Sequence, residues 1–366
     1  MLRQLTIKIA LLLNIGVVLC SILIVLAINI SPVHCWPLLF MGFSYPFVLL
    51  AHSLFVILWL SVRRKRLALI SLFCLAGSLF YTGFFYQWHS TKPAKGYTIV
   101  SYNVQRFNYD QSSLYAASRK SIMQEITKQQ PDIVCLQEYY NDSNKYYCTT
   151  DTLAAVLKMS YNHCQKLLFA DGFRTFGQMT FSKYPIVTRH KDLLPQPAPL
   201  NNIIYTDIKI NNDTIRVFNA HLESIRLVDT NYRTIEGIRH HDYSFREYLG
   251  SKEIMKKCKK AASIRAMQAE CLAKAIHQSP YPLLVCGDFN DIALSYAYHV
   301  VKTHNHLIDA FNNSGNGFGG TYIGELPSFR IDYILSSRNI KTWNYTTGTT
   351  STSDHYPIAC MFQIVK

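Results

Sequence analysis

Asp288 and Asn290 stand two residues apart in Gly287-Asp288-Phe289-Asn290, directly after the apolar run Pro282–Cys286. That run reads as a buried strand bounded by turn residues. A carboxylate at a strand's end loses hydration and gains nothing unless a cation or a donor meets it. A carboxylate and a carboxamide at this spacing can hold a water between them and orient it. Five further segments repeat the pattern. Thr98–Val104 carries Asn103 at its end, and Asp132–Glu138 ends in Gln137 and Glu138. Val217–Leu222 ends in His221, Arg330–Leu335 holds Asp332 inside an apolar run, and Asp354-His355 precedes the run Tyr356–Ala359. Each group alone reads equally well as a satisfied core residue or a turn residue. Together they predict one polar pocket at one edge of a sheet, because each buried ionisable group costs stability unless it is paired or binds a metal.

The elements that must position these groups are legible from periodicity and breakers. Ser112–Gln130 has the spacing of an amphipathic helix that stops before Pro131. A helix is expected at Thr152–Met159. Gln178–Phe181 and Ile186–His190 read as strands paired around Ser182-Lys-Tyr-Pro185. Pro195, Pro197 and Pro199 mark an irregular loop. Ile203–Ile210 and Thr214–Ala220 read as a hairpin turning at Asn211-Asn-Asp213. Ser263–Gln278 has Ala/Met/Leu helical periodicity and is followed by Pro280 and Pro282. Gly315–Gly320 lacks the Lys-Ser/Thr and the helix of a phosphate-binding loop, so it is expected to be a connection. Many strands with few helices imply two packed sheets with helices outside.

The motifs Ser101-Tyr-Asn-Val104, Leu136-Gln-Glu138, Phe181–Ile186, Asn219-Ala-His-Leu222, Gly287-Asp-Phe-Asn290, Arg330–Leu335 and Ser353-Asp-His-Tyr-Pro357 occur in one order from about Tyr97 to the C-terminus. In this the chain resembles the endonuclease/exonuclease/phosphatase family. That family of metal-dependent phosphoesterases includes DNase-I-like nucleases, abasic-site endonucleases, bacterial sphingomyelinases and inositol-polyphosphate phosphatases. The resemblance implies an α/β (α+β) fold, a four-layer αββα sandwich of two mixed sheets, spanning residues 97–366. It implies Asn103, Glu138 and Asp354 as the metal set, with Glu138 the main ligand. Asp288 would orient or deprotonate the attacking water, and Asn290 would donate to phosphate. Asp332 would fix the His355 ring beside the phosphate. His221 would donate to a non-bridging oxygen or protonate the leaving group. Which histidine is acid and which is base stays open. An oxygen-only ligand set that keeps waters suits Mg²⁺, and Mn²⁺ shares that chemistry.

Residues 1–90 lie outside this resemblance. They contain no Asp or Glu and three long apolar runs, Ile7–Ile30, Trp36–Leu60 and Leu67–Trp88. Each approaches or exceeds the ~20 residues a helix needs to cross a bilayer. The first exceeds the apolar region of a signal peptide, and two more runs follow it. The expectation is a three-helix membrane anchor over 1–90 and a linker over 91–96. Asn14, Ser21 and Asn29 are tolerable inside such a bundle, and Trp36, Trp59, Tyr86 and Trp88 fall near predicted helix ends, as interfacial aromatics do. Arg63-Arg64-Lys65-Arg66 marks the cytoplasmic side, which puts the N-terminus in the cytoplasm and Thr91 onward outside.

Net charge is +14, and residues 91–366 carry +8 of it, 31 basic side chains against 23 acidic. Such a surface suits polyanions: nucleic acid, anionic headgroups or a phosphorylated metabolite. Residues 224–262 hold nine Lys/Arg against five acids, including Lys256, Lys257, Lys259 and Lys260. This stretch is expected to cover the site's mouth and contact substrate, to lie on a membrane surface, or to form a solvated helical lid. His240 and His241 are adjacent, a poor arrangement for one ion. Cys135, Cys286 and Cys360 fall in strands as small apolar residues, while Cys148, Cys164, Cys258 and Cys271 are available for pairing.

The leading expectation is a membrane-anchored, Mg²⁺-dependent phosphodiesterase or phosphatase. Its partners are a phosphate-ester substrate and the lipid bilayer, and no protein partner is expected. Two alternatives are carried: an extracytoplasmic endonuclease, and a non-catalytic membrane receptor that uses the same pocket. Groove-entering loops are not recognisable, which counts against duplex DNA.

Overall fold

A computed structural model describes residues 2–91, 95–109, 112–142, 150–165, 167–168, 174–190, 193–194, 201–240, 244–324 and 328–365. Linker residues 92–94, the 195–200 proline loop, His241 and Cys148 lie outside the described residues.

Alternating side chains divide the strands between two faces, and this builds the layers. One sheet runs edge to edge as Ile340–Thr347, Ile358–Ile364, Tyr97–Asn103, Ile133–Asp142, Arg174–Ser182 and Tyr161–Cys164. The other runs Ile308–Asp309, Asp332–Ser336, Leu283–Asp288, Asp213–His221, Ile203–Ile210 and Ile186–His190. Between them Ile99, Ile133 and Cys135 meet Val217, Leu284, Cys286 and Ile334 in a buried core. The outer face of the first sheet, with Val100, Tyr102 and Leu136, is covered by Ile122 and Ile126 of the helix Ser112–Lys128. The outer face of the second, with Phe218, Val285 and Tyr333, is covered by Ala269, Leu272 and Ile276 of a 33-residue helix, Phe245–His277. The four-layer sandwich is therefore as expected.

Each sheet has a parallel pair near its centre. Tyr97–Asn103 runs parallel to Ile133–Asp142, with Asn103 opposite Gln137. Asp213–His221 runs parallel to Leu283–Asp288, with His221 opposite Asp288. Parallel strands deliver their C-terminal ends to the same edge, so these pairs gather the polar tips at one rim. The antiparallel strand Asp332–Ser336 begins there too, with Asp332 opposite Asp288.

Three expectations on the elements need correction. Arg174–Ser182 and Ile186–His190 do not pair with each other; they join different sheets. Tyr184-Pro185 carries the chain across, and Arg174–Ser182 is held on both sides by Ile133–Asp142 and Tyr161–Cys164. The helix expected at Ser263–Gln278 begins at Phe245, where Ser244 accepts from the Glu247 N–H as its cap. The third apolar run leaves the helix at Thr82, and Gln87–Trp88 pairs with Asn316–Gly317 instead. Phe84 turns onto Tyr298, ring centroids 5.6 Å apart, so this stretch packs on the sandwich.

Three helices, Gln4–Asn29, Trp36–Ser61 and Lys65–Thr82, are long and apolar enough to cross a membrane. Their outward side chains include Leu12, Phe47, Phe73 and Phe80, all largely exposed. Asn14, His52 and Ser71 turn inward, whereas Asn29, expected inside the bundle, is exposed and its amide donates to the Val25 carbonyl one turn back. Asn14 Nδ2 donates to Ser71 Oγ at 2.8 Å, Trp59 Nε1 donates to Asn14 Oδ1 at 2.9 Å, and His52 lies between Ser21 and Ser71. Trp59 is thus a buried hydrogen-bond donor, not an interfacial anchor. Ile24, Ile28, Tyr45 and Val48 pack on Ile292 and Leu294 of the sandwich. The Arg63–Arg66 turn lies at the far end of the 21-residue helix Met41–Ser61, about 30 Å away.

Candidate active site

Asp288 is the hub of the rim. Its Oδ2 accepts from Asn103 Nδ2 at 3.0 Å and lies 3.6 Å from both His221 Nε2 and His355 Nε2. Its Oδ1 accepts from the Asn290 N–H at 2.7 Å. Asp288 can occupy this spot because Gly287 adopts φ +145 beside the Ala220 carbonyl; an added Cβ there would overlap that oxygen. Asn290 turns back at φ +51, and its amide donates to the Leu222 carbonyl at 2.9 Å, which leaves its second amide hydrogen for a ligand.

Glu138 reaches the cluster through an irregularity. The ladder between Ile133–Asp142 and Arg174–Ser182 shifts register between Leu136 and Tyr139, and Glu138 adopts φ +51. A bulge of this kind re-aims a side chain. Glu138 Oε1 lies 3.9 Å from His221 Nε2, and its side chain keeps 26% of its surface. Asp354 comes from the loop after Ile340–Thr347, where its N–H donates to Gln105 Oε1 at 3.2 Å. Ser353 Oγ ties the same loop to the Asn103 carbonyl at 2.8 Å. Asp332 Oδ2 meets His355 Nδ1 at 2.9 Å, and both are buried.

The two histidines sit in opposite electrostatic surroundings. Burial opposes charge on His355, but Asp332 and Asp288 outweigh it and carry its pKa up to about 10. Burial pushes His221 down to about 4; Asp288 opposes this, and the charges of His355 and Arg226 assist it. Its hydrogen bonding agrees. Asn201 Oδ1 accepts from Arg226 at 2.9 Å and its Nδ2 donates to the Leu222 carbonyl, which fixes the amide so that Nδ2 also donates to His221 Nε2 at 3.1 Å. His221 is therefore a neutral acceptor at that nitrogen and His355 an imidazolium.

Three carboxylates crowd the same space. Burial raises the pKa of Glu138 against the nearby cations His355 and Arg106. Burial raises Asp288 too, with Asp332 adding to it. Burial also raises Asp354; His355 opposes this, and the charges of Glu138 and Asp288 add to it. Carboxylates that resist ionisation side by side, all presenting oxygen, fit a hard divalent cation. Asp288, Asp332 and His355 place a possible ligand atom each within 4.8 Å of one another. The Asp332–His355 hydrogen bond occupies one side of that trio, so Glu138 and Asp354, both only partly buried, are the more open carboxylates. Asn103 turns its amide nitrogen to Asp288 while its oxygen accepts from the Gln105 N–H at 3.1 Å; the second lone pair of that oxygen remains.

All eight residues singled out in the sequence converge on this rim. Sequence reasoning missed Asn201 and Arg226. Asn201-Asn202 precedes the strand Ile203–Ile210, so the rule that found Asn103 applied here as well. Also unforeseen is the clamp beneath the site, where Gln137 Nε2 donates to Asn219 Oδ1 at 2.8 Å and joins the two sheets.

The sequence profile described as the Endonuclease/Exonuclease/phosphatase family matches residues 100–253 and 264–355. The chain belongs to this family. Endonuclease/exonuclease/phosphatase proteins act on phosphate esters, and their divalent-metal dependence accords with the acidic rim. A second profile, described only as a domain of unknown function (DUF8431), matches residues 7–85. No curated protein is significantly similar to the chain. Among solved structures, the human Nocturnin catalytic domain with bound sulfate is 17% identical, with 76% of this chain and 98% of that one covered at a TM-score of 0.51. Sphingomyelinase C from Streptomyces griseocarneus is 16% identical, with 73% and 99% covered at 0.46. The 3′ phosphatase NExo from Neisseria, bound to a product DNA hairpin, is 16% identical, with 73% and 99% covered at 0.47. At these identities the likeness is one of fold.

Proposed function

We propose that this endonuclease/exonuclease/phosphatase protein is a membrane-anchored, divalent-metal-dependent phosphoesterase, with residues 1–90 as anchor, 91–96 as linker and 97–366 as catalytic domain. The observation that carries the reading is the convergence on Asp288 Oδ2 of Asn103, His221 and His355, with Glu138 alongside. Water attacks phosphorus, a P–O bond forms, the P–O bond to the alcohol breaks, and the alcohol oxygen takes up a proton. Asp288 holds the attacking water and accepts its proton, its carboxylate fixed by the Asn290 N–H. His355, kept protonated by Asp332, donates to the bridging ester oxygen and gives it the proton that the alcohol carries away, while the second amide hydrogen of Asn290 donates to a non-bridging oxygen. His221 Nε2 is an acceptor as Asn201 holds it, so the donor role falls to His355. Glu138, Asp354 and Asn103 would hold the cation, Mg²⁺ by the hardness of its oxygen ligands, with Mn²⁺ as its chemical neighbour. Bound there, it would neutralise phosphoryl charge and draw a substrate oxygen into place.

The membrane reading is supported by three apolar helices with large apolar side chains facing outward and with Asn14, His52 and Ser71 buried between them. The sandwich packs on the end of the bundle opposite Arg63–Arg66, and by the positive-inside rule it then lies outside the cytoplasm. A panel of phosphodiesters and phosphomonoesters, with Mg²⁺ and with EDTA, tests the activity. Glu138→Ala should abolish metal-dependent turnover while the fold persists. An active Glu138→Ala enzyme refutes the metal assignment, and a wild type that is inert on the whole panel refutes the activity.

A further inference from the structure

The apolar end of the bundle continues into the catalytic rim. Two adjoining cavities, of about 170 and 140 Å³, flank Asn290 and share Phe43, Ile225, Asn290 and Asp291 as walls. Leu227, Tyr322, Phe329 and Ile331 close the first. Ala27 and Pro32 from the end of the first helix, with Phe40, close the second. The first cavity lies one ring away from the chemistry, since Tyr322 packs edge-on against His355 with centroids 5.4 Å apart. It lies one ring away from the bundle as well, since Phe43, at the start of the helix Met41–Ser61, meets Phe329 at 5.2 Å. Phe40 and Phe43 each keep more than a third of their surface.

The segment between the His221 strand and the helix Asp229–Arg239 is built for an amphiphile. Ile225 and Leu227 face the cavity, and Arg226 stands between them. Its guanidinium is held by Asn201 and Glu223, and its side chain keeps 47% of its surface. The basic middle of Phe245–His277 also comes to this side of the molecule, with Lys259 Nζ 5.8 Å from the Trp36 ring. Cation, apolar slot and helix ends therefore follow one another from the hub to the bundle. A freely soluble phosphate ester would leave the slot without an occupant.

We infer that the substrate is a phosphate ester carried on a membrane lipid, with its phosphate at Asp288 and His355 beside Arg226 and the first methylenes of its tail in the cavity that Phe43, Leu227 and Phe329 line. This rests on the phosphoesterase reading above and specifies what that site takes.

The test uses the full-length chain in phosphatidylcholine nanodiscs with Mg²⁺. The substrates are p-nitrophenyl phosphodiesters bearing methyl, butyl or octyl groups. Each methylene buried is worth about fourfold in binding, so kcat/KM should climb steeply from methyl to octyl. Partition into the disc is common to all variants, so Leu227→Gln and Phe329→Gln separate the slot from the bilayer: either should flatten the climb. A flat series with intact methyl-ester turnover overturns the lipid inference and leaves the phosphoesterase standing. A climb that both variants preserve puts the tail elsewhere and overturns the slot. Turnover of p-nitrophenyl phosphate but of none of these diesters overturns the inference alone, and no turnover of either class, with Mg²⁺ or with Mn²⁺, overturns the phosphoesterase reading and the inference with it.

Discussion

Asp332 makes His355 useful by holding Nδ1 at 2.9 Å, which turns Nε2 toward Asp288. Loss of the imidazole should reduce turnover by about 10²–10⁴, the range of a positioned acid or base, and single-turnover kinetics on His355→Ala would measure it. The same pair makes a prediction about stability. Without a metal, Asp332 and Asp288 outweigh burial and hold the His355 pKa up to about 10 in the folded chain, against 6.5 for a free imidazole. A raised folded value means that its contribution is complete below pH 6.5 and is lost as pH climbs through 10. Urea midpoints of the EDTA-treated protein should fall over that window. Asp332→Asn should shrink the fall, and an unchanged slope would mean that the dyad holds no charge.

At the scale of elements, the rim exists because parallel strands end together and because their backbones approach closely. Gly287 lies against the Ala220 carbonyl at φ +145, where no side chain fits. Gly287→Ala should cost more than the 0.4–1 kcal/mol that the entropy of a glycine replacement is worth, with the opposite sign. Chemical denaturation would show it as a lowered midpoint. Gly42 has a similar role at the junction with the bundle. A Cβ there would overlap the Leu294 carbonyl, so Gly42→Val should push the 292–294 loop away from the helix. Overpacking of this kind costs about 1–3 kcal/mol, and faster amide exchange at Asp291–Leu294 is the expected signature.

For the whole molecule, the bundle does more than tether. Ile24, Ile28, Tyr45 and Val48 cover Ile292 and Leu294, which follow Asn290 by only a few residues. Arg330 extends the coupling. It is buried, pairs with Asp309 at 2.8 Å, reaches the Phe84 carbonyl at 3.4 Å, and stands two residues before Asp332. The orientation also belongs to this scale. Protease added to the outside of sealed cells should remove the sandwich and spare the Arg63–Arg66 turn. Protection of the sandwich would reverse the proposed topology.

The sequence by itself determined the kinds of elements and the chemical character of their ends. Apolar alternation set the strands, long apolar runs without Asp or Glu set the three helices, and unneeded polar groups at strand tips marked Asn103, Glu138, His221, Asp288, Asp332 and His355. Those signals are local, because a buried charge declares its cost wherever it sits. Only the tertiary structure decided what lies far apart in the chain. It sent Arg174–Ser182 and Ile186–His190 to different sheets, brought Asn201 onto His221 and Arg226 to the rim, and took Gln87–Trp88 out of the third helix to pair with Asn316–Gly317. It also separated two histidines of one intrinsic pKa into an imidazolium and a neutral acceptor. That difference depends on which carboxylates and cations lie within a few ångströms, and the linear order of residues does not specify distances.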